Sequence, residues 1–232
     1  MNTTTHKSIY AKALGDDFAR LHPKIQERFG FRSEDRVAHI GTGVMKTMTR
    51  GSLLAVPFLK FGTLRNLLFP EQGAEIEFTI ENYAYTDRFG RETVTWYRTF
   101  NFPKRQRTFD ATMIYSDERD QIVDYLGTHQ HIAADLNCWV DDEGGINFES
   151  GEQRCYEGPL RFRFPRFLTG NAQVREWFDD ATGEFQISVQ VHNPILGHIL
   201  GYRGSFTDQV IPIETQEDIP EAAIPVREQV QE

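Results

Sequence analysis

The chain has 232 residues, a formal net charge of −9, 12% aromatic residues, and 18 Phe against 4 Met, a length that can bury a sizeable core and a balance that suits β-structure better than a helical bundle. Six acids and one arginine lie between Ile213 and Glu232, which leaves −4 for residues 1–212 and argues against a nucleic-acid binder, since phosphate neutralisation needs a concentrated positive surface. Cys138 and Cys155 fit no zinc or redox spacing, the N-terminus lacks the apolar run of a signal peptide, and LLAVPFL is far shorter than the roughly 20 residues of a spanning helix; the expectation is a soluble cytoplasmic protein with free thiols and no membrane-spanning segment.

In chain order, apolar residues from Ile9 to Phe29 recur every three to five positions, and Pro23 and Gly30 mark the start and end of the second of two short helices. From Arg36 to Thr49 the period changes to two, with Ile40, Thr42, Val44 and Met48 on one side and Val37, Gly41, Gly43 and Met45 on the other. This is a strand whose glycines permit bending or close approach. HIGTGVMKT at 39–47 has the glycines and lysine of a phosphate loop but not the spacing, because both the P-loop and the dinucleotide fingerprint need further residues at fixed offsets.

Residues 52–69 carry helical spacing with a cap at Ser52, broken by Pro57 and Gly62 into two pieces that cover the core or a cavity. Ten further strands are predicted at 74–86, 91–102, 107–116, 120–126, 130–140, 145–149, 159–164, 172–179, 184–192 and 201–212. Turns such as Asp87-Arg88-Phe89-Gly90 and Asp180-Ala181-Thr182-Gly183 make sequential strands antiparallel. The fold class is therefore α+β: a strongly curved antiparallel β-sheet or β-barrel-like domain with short N-terminal helices, spanning residues 1–212. Residues 213–232, acidic and interrupted by Pro220 and Pro225, are expected to be a disordered tail.

Five stretches carry candidate chemistry, each with a plainer structural reading. In ETVTWYRTF, Val94, Trp96, Arg98 and Phe100 share one strand face, so Arg98 lies among large apolar groups and must find a carboxylate, a ring, a ligand or water. His129 and His131, with Asp135, resemble the paired ligands of cupin barrels, but the partner motif is missing and two exposed histidines near a turn are the alternative; no metal is assigned. RFRFPRF at 161–167 alternates Arg161 and Arg163 with Phe162 and Phe164, read as an amphipathic strand with its rings in the core or as an anion-binding face. PKRQR at 103–107 is a solvated basic turn. VHNPILGHILGYRGSF, residues 191–206, offers His192 and His198 as acid or base, yet its spacing favours a structural corner that buries Ile195, Leu196, Ile199 and Leu200, with Tyr202 and Arg203 on opposite faces of the next strand. No nucleophile elbow or hydrolase triad is present.

LHPKIQERFG at 21–30, GTGVMKTMTRG at 41–51, TWYRTF at 95–100, GPLRFRF at 158–164 and HNPILGHILGYRG at 192–204, in that order, resemble the bacterial DUF4166 family, a domain of unknown function, in its standalone form. The resemblance implies an accessory or ligand-binding role. It implies no NAD(P), because the fused nucleotide-binding domain of some members is absent here, and no other cofactor is expected. Three functions stay open: binding of an apolar or amphipathic small molecule in a β-lined cavity by Trp96, Arg98, Tyr202 and Arg203; an enzyme using His192 or His198; and a protein-interaction module with an unidentified partner.

Overall fold

In the computed structural model, residues 7–51 and 53–232 are described; Ser52, the expected cap, lies outside them. The described residues form eleven strands: β1 Val37–Arg50, β2 Ile76–Thr86, β3 Glu92–Phe102, β4 Arg105–Ser116, β5 Gln121–Leu126, β6 Ile132–Val140, β7 Ile146–Glu157, β8 Leu160–Arg163, β9 Asn171–Asp179, β10 Glu184–Asn193 and β11 Gly197–Pro212. All pairings are antiparallel, and β6 pairs with β7 while β1 pairs with β11. These two contacts turn the curved sheet into a closed ten-stranded barrel, in which β9 follows β7 and β8 adds only to the outer end of β7. Closure leaves no exposed edge around the barrel.

The helices are few and short, so the barrel alone carries the architecture. Ser8 caps α1 (Ile9–Leu14) by accepting from the Ala11 amide at 3.1 Å, and its hydroxyl donates to the Phe29 carbonyl at 2.8 Å, which ties α1 to α2 (Pro23–Gly30). Together they close one end of the barrel, where Tyr10, Ile25 and Phe29 are buried against the strands. The other end is covered by residues 53–69, including α3 (Val56–Gly62), whose Ala55, Leu59 and Phe69 are fully buried. Phe69 packs on Phe100 and Phe102 with ring centroids 5.2 and 5.7 Å apart.

The glycines of β1 are explained by the inner face. A Cβ on Gly41 would stand 2.6 Å from Ile80 and 2.7 Å from Phe206, and one on Gly43 would stand 2.0 Å from the Ser205 carbonyl oxygen. Only a residue without a side chain lets β1 curve this tightly against β2 and β11. A register shift between Met45 and Thr47 then returns Met48 to the interior.

Three sequence expectations are corrected. Residues 213–232, expected to be disordered, lie against the barrel: the Ile213 amide donates to the Arg36 carbonyl at 2.8 Å, and Ile219 and Ala223 are buried over Ala38, Tyr83 and Tyr85 on the outer face. The outward tyrosines of β2 supply the apolar surface that orders the tail. β8 is exposed along its whole length, so Phe162 is not in the core, because the strand lies beyond the barrel wall. Finally, Asn193–Gly197 forms the tip of the β10–β11 hairpin, which buries Ile199 and Leu200 but leaves Ile195 70% exposed.

Candidate ligand site in the barrel interior

Period-two alternation sends Val94, Trp96, Arg98, Phe100 and Phe102 of β3 inward, and the same rule sends Tyr202 and Phe206 of β11 inward. Arg98 is buried, with its Nε donating to the Phe109 carbonyl at 3.2 Å and its Nη1 donating to the Tyr202 hydroxyl at 3.1 Å. Its guanidinium carbon sits 3.9 Å from the Phe109 ring centroid and 5.5 Å from that of Trp96. Rings therefore take part of the role that a counter-ion would have. No carboxylate of the described residues comes within 4 Å to form an ion pair with it.

Two carboxylates feel this cation, Asp110 of β4 and, in phase with the inward Ile122 of β5, Asp124. Asp124 is buried, one of its oxygens has no hydrogen-bond partner, and burial pushes its pKa up to about 7 despite the opposing pull of Arg98. Around it, the indole Nε1 of Trp96 donates to the Tyr10 hydroxyl at 2.8 Å, and that hydroxyl donates to Met113 Sδ at 3.6 Å. Burial holds the hydroxyls of Tyr10 and Tyr202 above the usual range, so both stay protonated donors. The middle of the barrel is thus a packed aromatic interior with one permanent cation, one carboxyl that titrates near neutrality and two phenols.

A second buried polar cluster lies nearer α2. Arg28 donates to Glu176 at 2.5 Å, to Asp208 at 2.6 Å and to Asn82 at 2.6 Å, while His39 Nδ1 meets the other Asp208 oxygen at 2.6 Å. The Arg28 guanidinium lies 4.8 Å from the Phe206 ring centroid. Burial raises the Glu176 pKa against the attraction of Arg28. Each nitrogen of Arg28 donates to a side-chain oxygen, so this cluster fastens α2 across β2, β9 and β11.

Of the residues singled out in the sequence, the structure brings together Trp96, Arg98 and Tyr202. Arg203 points outward, its guanidinium 5.6 Å from the Trp177 ring centroid, as expected for a neighbour on the opposite strand face. His192 and His198 lie at the rim outside the barrel, their rings 5.3 Å apart, and His198 Nε2 meets the Thr49 hydroxyl at 2.9 Å. Burial and the neighbouring His192 lower the His198 pKa. His129 and His131 sit in the β5–β6 connection with ring centroids 6.5 Å apart. Asp135 is instead paired with Arg154 at 2.6 Å, and among the described residues no group of three or more His, Cys, Asp or Glu could hold a metal ion. Burial, reinforced by Arg65, lowers the His131 pKa to about 4. Cys138 and Cys155 are free thiols.

The residues that sequence reading missed are Asp124, Arg28 and Glu176. A signal for Asp124 existed in Gln121-Ile122-Val123-Asp124-Tyr125-Leu126, where an acid alternates in phase with Ile122 and Leu126. The partners of Arg28 gave none, since they lie 54, 148 and 180 residues away.

A sequence profile for the domain of unknown function DUF4166 matches residues 21–206, from just before α2 to the inward Phe206 of the last strand. The chain is a member of the DUF4166 family. The match takes in the interior constellation of Trp96, Arg98, Asp124 and Tyr202. This DUF4166 chain is also similar to the uncharacterized protein YndH of Bacillus subtilis (strain 168), at 34% identity over 202 residues that cover 87% of this chain and 97% of that protein. No helix among the described residues of the DUF4166 chain is long and apolar enough to cross a membrane.

Proposed function

We propose that this DUF4166 barrel binds an amphipathic small molecule with an anionic head, the head meeting Arg98 and Tyr202 and the apolar part lying among the inward rings. The observation that carries this reading is Arg98: a guanidinium facing the interior of a ring-lined barrel with no ion pair to a carboxylate within 4 Å among the described residues. A carbonyl and a phenol use two of its five donors. Orienting an apolar ligand by a few convergent polar groups is the usual design of small-molecule sites.

The described interior is filled by side chains, so the ligand must take the place of some of them. Those of Ala55, Leu59 and Phe69 are the ones carried by a connecting segment, residues 53–69, and lifting that segment uncovers Phe100 and Phe102. Asp110 and Asp124 set the pH range: while both are protonated, the charge of Arg98 is uncompensated and attracts the anion. As pH rises through about 6 and then about 7, these carboxylates compete for Arg98 and the ligand binds more weakly.

Titration with parinaric acid, a fluorescent long-chain carboxylate, tests the reading. The expected outcome is saturable binding that Arg98→Leu weakens about tenfold or more, as loss of a charge-assisted hydrogen bond requires, with folding of the variant checked by its circular dichroism. Absence of saturable binding, or equal binding by a folded Arg98→Leu protein, would overturn it.

A further inference from the structure

The end of the barrel that carries α3 differs from the rest of the surface in two independent ways. The first is apolar exposure. Leu53, Leu54, Phe61 and Leu64 are 77%, 73%, 71% and 75% exposed, although the same segment buries Ala55, Leu59 and Phe69. Strand register places further exposed groups at this end: Ile195 at the β10–β11 tip, and Phe167, whose carbonyl accepts from the Asn193 amide side chain at 2.9 Å. With Leu160, Phe162 and Leu168, nine of the fifteen exposed large apolar side chains among the described residues belong to this one rim. A cluster of that kind marks a surface that is covered in use.

The second difference is charge. The five connections that build the rim, residues 50–75, 102–107, 126–131, 157–170 and 193–197, contain nine Lys and Arg against three Glu, a net +6 in a chain whose net charge is −9. The rest of the chain therefore carries −15. Lys60 projects from α3 itself, Lys104 from the β3–β4 turn, Arg105 from the start of β4, and Arg161 and Arg163 from β8, all exposed. Apolar side chains ringed by cations on an otherwise acidic molecule match the profile of an anionic bilayer, whose surface attracts Lys and Arg and repels the acidic remainder.

We infer that this rim docks onto a lipid surface bearing anionic headgroups, with Leu53, Leu54, Phe61 and Leu64 entering the interfacial layer and the surrounding cations facing the headgroups. The barrel would then stand end-on, with its helical cap of α1 and α2 facing away from the bilayer. The inference concerns the outer surface and does not depend on whether the interior binds a ligand.

Flotation of the full chain with vesicles of equal parts phosphatidylglycerol and phosphatidylcholine, against vesicles of phosphatidylcholine alone, tests it. The expected result is binding to the anionic vesicles that high salt reverses and weak binding to the neutral ones. Leu54→Glu with Phe61→Glu, at positions whose exposure spares the fold, lowers partition at least tenfold, and Lys60→Glu with Lys104→Glu lowers it about fivefold or more per charge removed. Equal recovery with both vesicle types, or no recovery at low salt, would overturn the inference. So would apolar-rim variants that leave flotation unchanged while dissolving a dimer seen by light scattering, which would assign the rim to a second copy of this chain.

Discussion

Replacing Asp124 with Asn should flatten part of the pH dependence of stability. In the folded chain burial moves this carboxyl from its ordinary value of 3.8 to about 7. The shift is upward, so between these two values the folded state holds a proton that the unfolded state has released, and stability is lost as pH rises through the window. Integrated between pH 5 and pH 8, the loss from this one group is about 2.5 kcal/mol. Asn has the shape of the protonated acid and does not titrate, so the Asp124→Asn protein keeps that stability at pH 8 and gains little at pH 5. In urea denaturation, with a slope of about 2–3 kcal/mol per molar for a chain of this size, the wild-type midpoint falls relative to the variant's by about 1 M over that range. Taking the difference between the two proteins cancels other titrating groups, including Asp110, which burial pushes up to about 6. Midpoints that fall in parallel from pH 5 to pH 8 would refute a buried, near-neutral Asp124.

Arg28→Met leaves Glu176 and Asp208 buried without their cation and should cost about 3–5 kcal/mol, read from chemical denaturation at pH 7; a loss below about 1 kcal/mol would mean that the pair is not desolvated. Truncation after Pro212 removes the cover of Tyr83 and Tyr85 and the bonds from the Tyr125 and Tyr156 hydroxyls to the Gln231 and Glu232 carbonyls. It should lower stability by about 3 kcal/mol or more, and an unchanged melting temperature would show that the tail does not dock.

What could be read from the sequence was whatever a strand's period of two encodes. Alternation along ETVTWYRTF is enough to place Arg98 among rings, and the same rule separates Tyr202 from Arg203. The paired glycines of GTGVMKT were legible as a site of close approach, though not as the point where the interior is tightest. Barrel closure was harder, because β1 pairs with β11 from the far end of the chain, Val37 against Pro212 through Arg50 against Leu200, and no local spacing marks that pairing. Phe162 misled because alternation shows only that a strand has two faces, not that either is covered. The tail misled in the opposite sense: its composition is that of a disordered segment, and its order comes from Tyr83 and Tyr85 on another strand. The Arg28 cluster joins three remote strands to one helix, and no spacing rule reaches that far.

The most direct test of a barrel that holds an anionic amphiphile is nuclear magnetic resonance of palmitate labelled at its carboxyl carbon, added to the wild-type and Arg98→Leu proteins. The account predicts one slowly exchanging bound resonance that stays ionised well below the pH at which free palmitate protonates, as contact with Arg98 requires, and that is lost or titrates normally in the variant. A bound carboxyl that titrates as it does in water in both proteins would place the ligand outside the barrel and contradict the account.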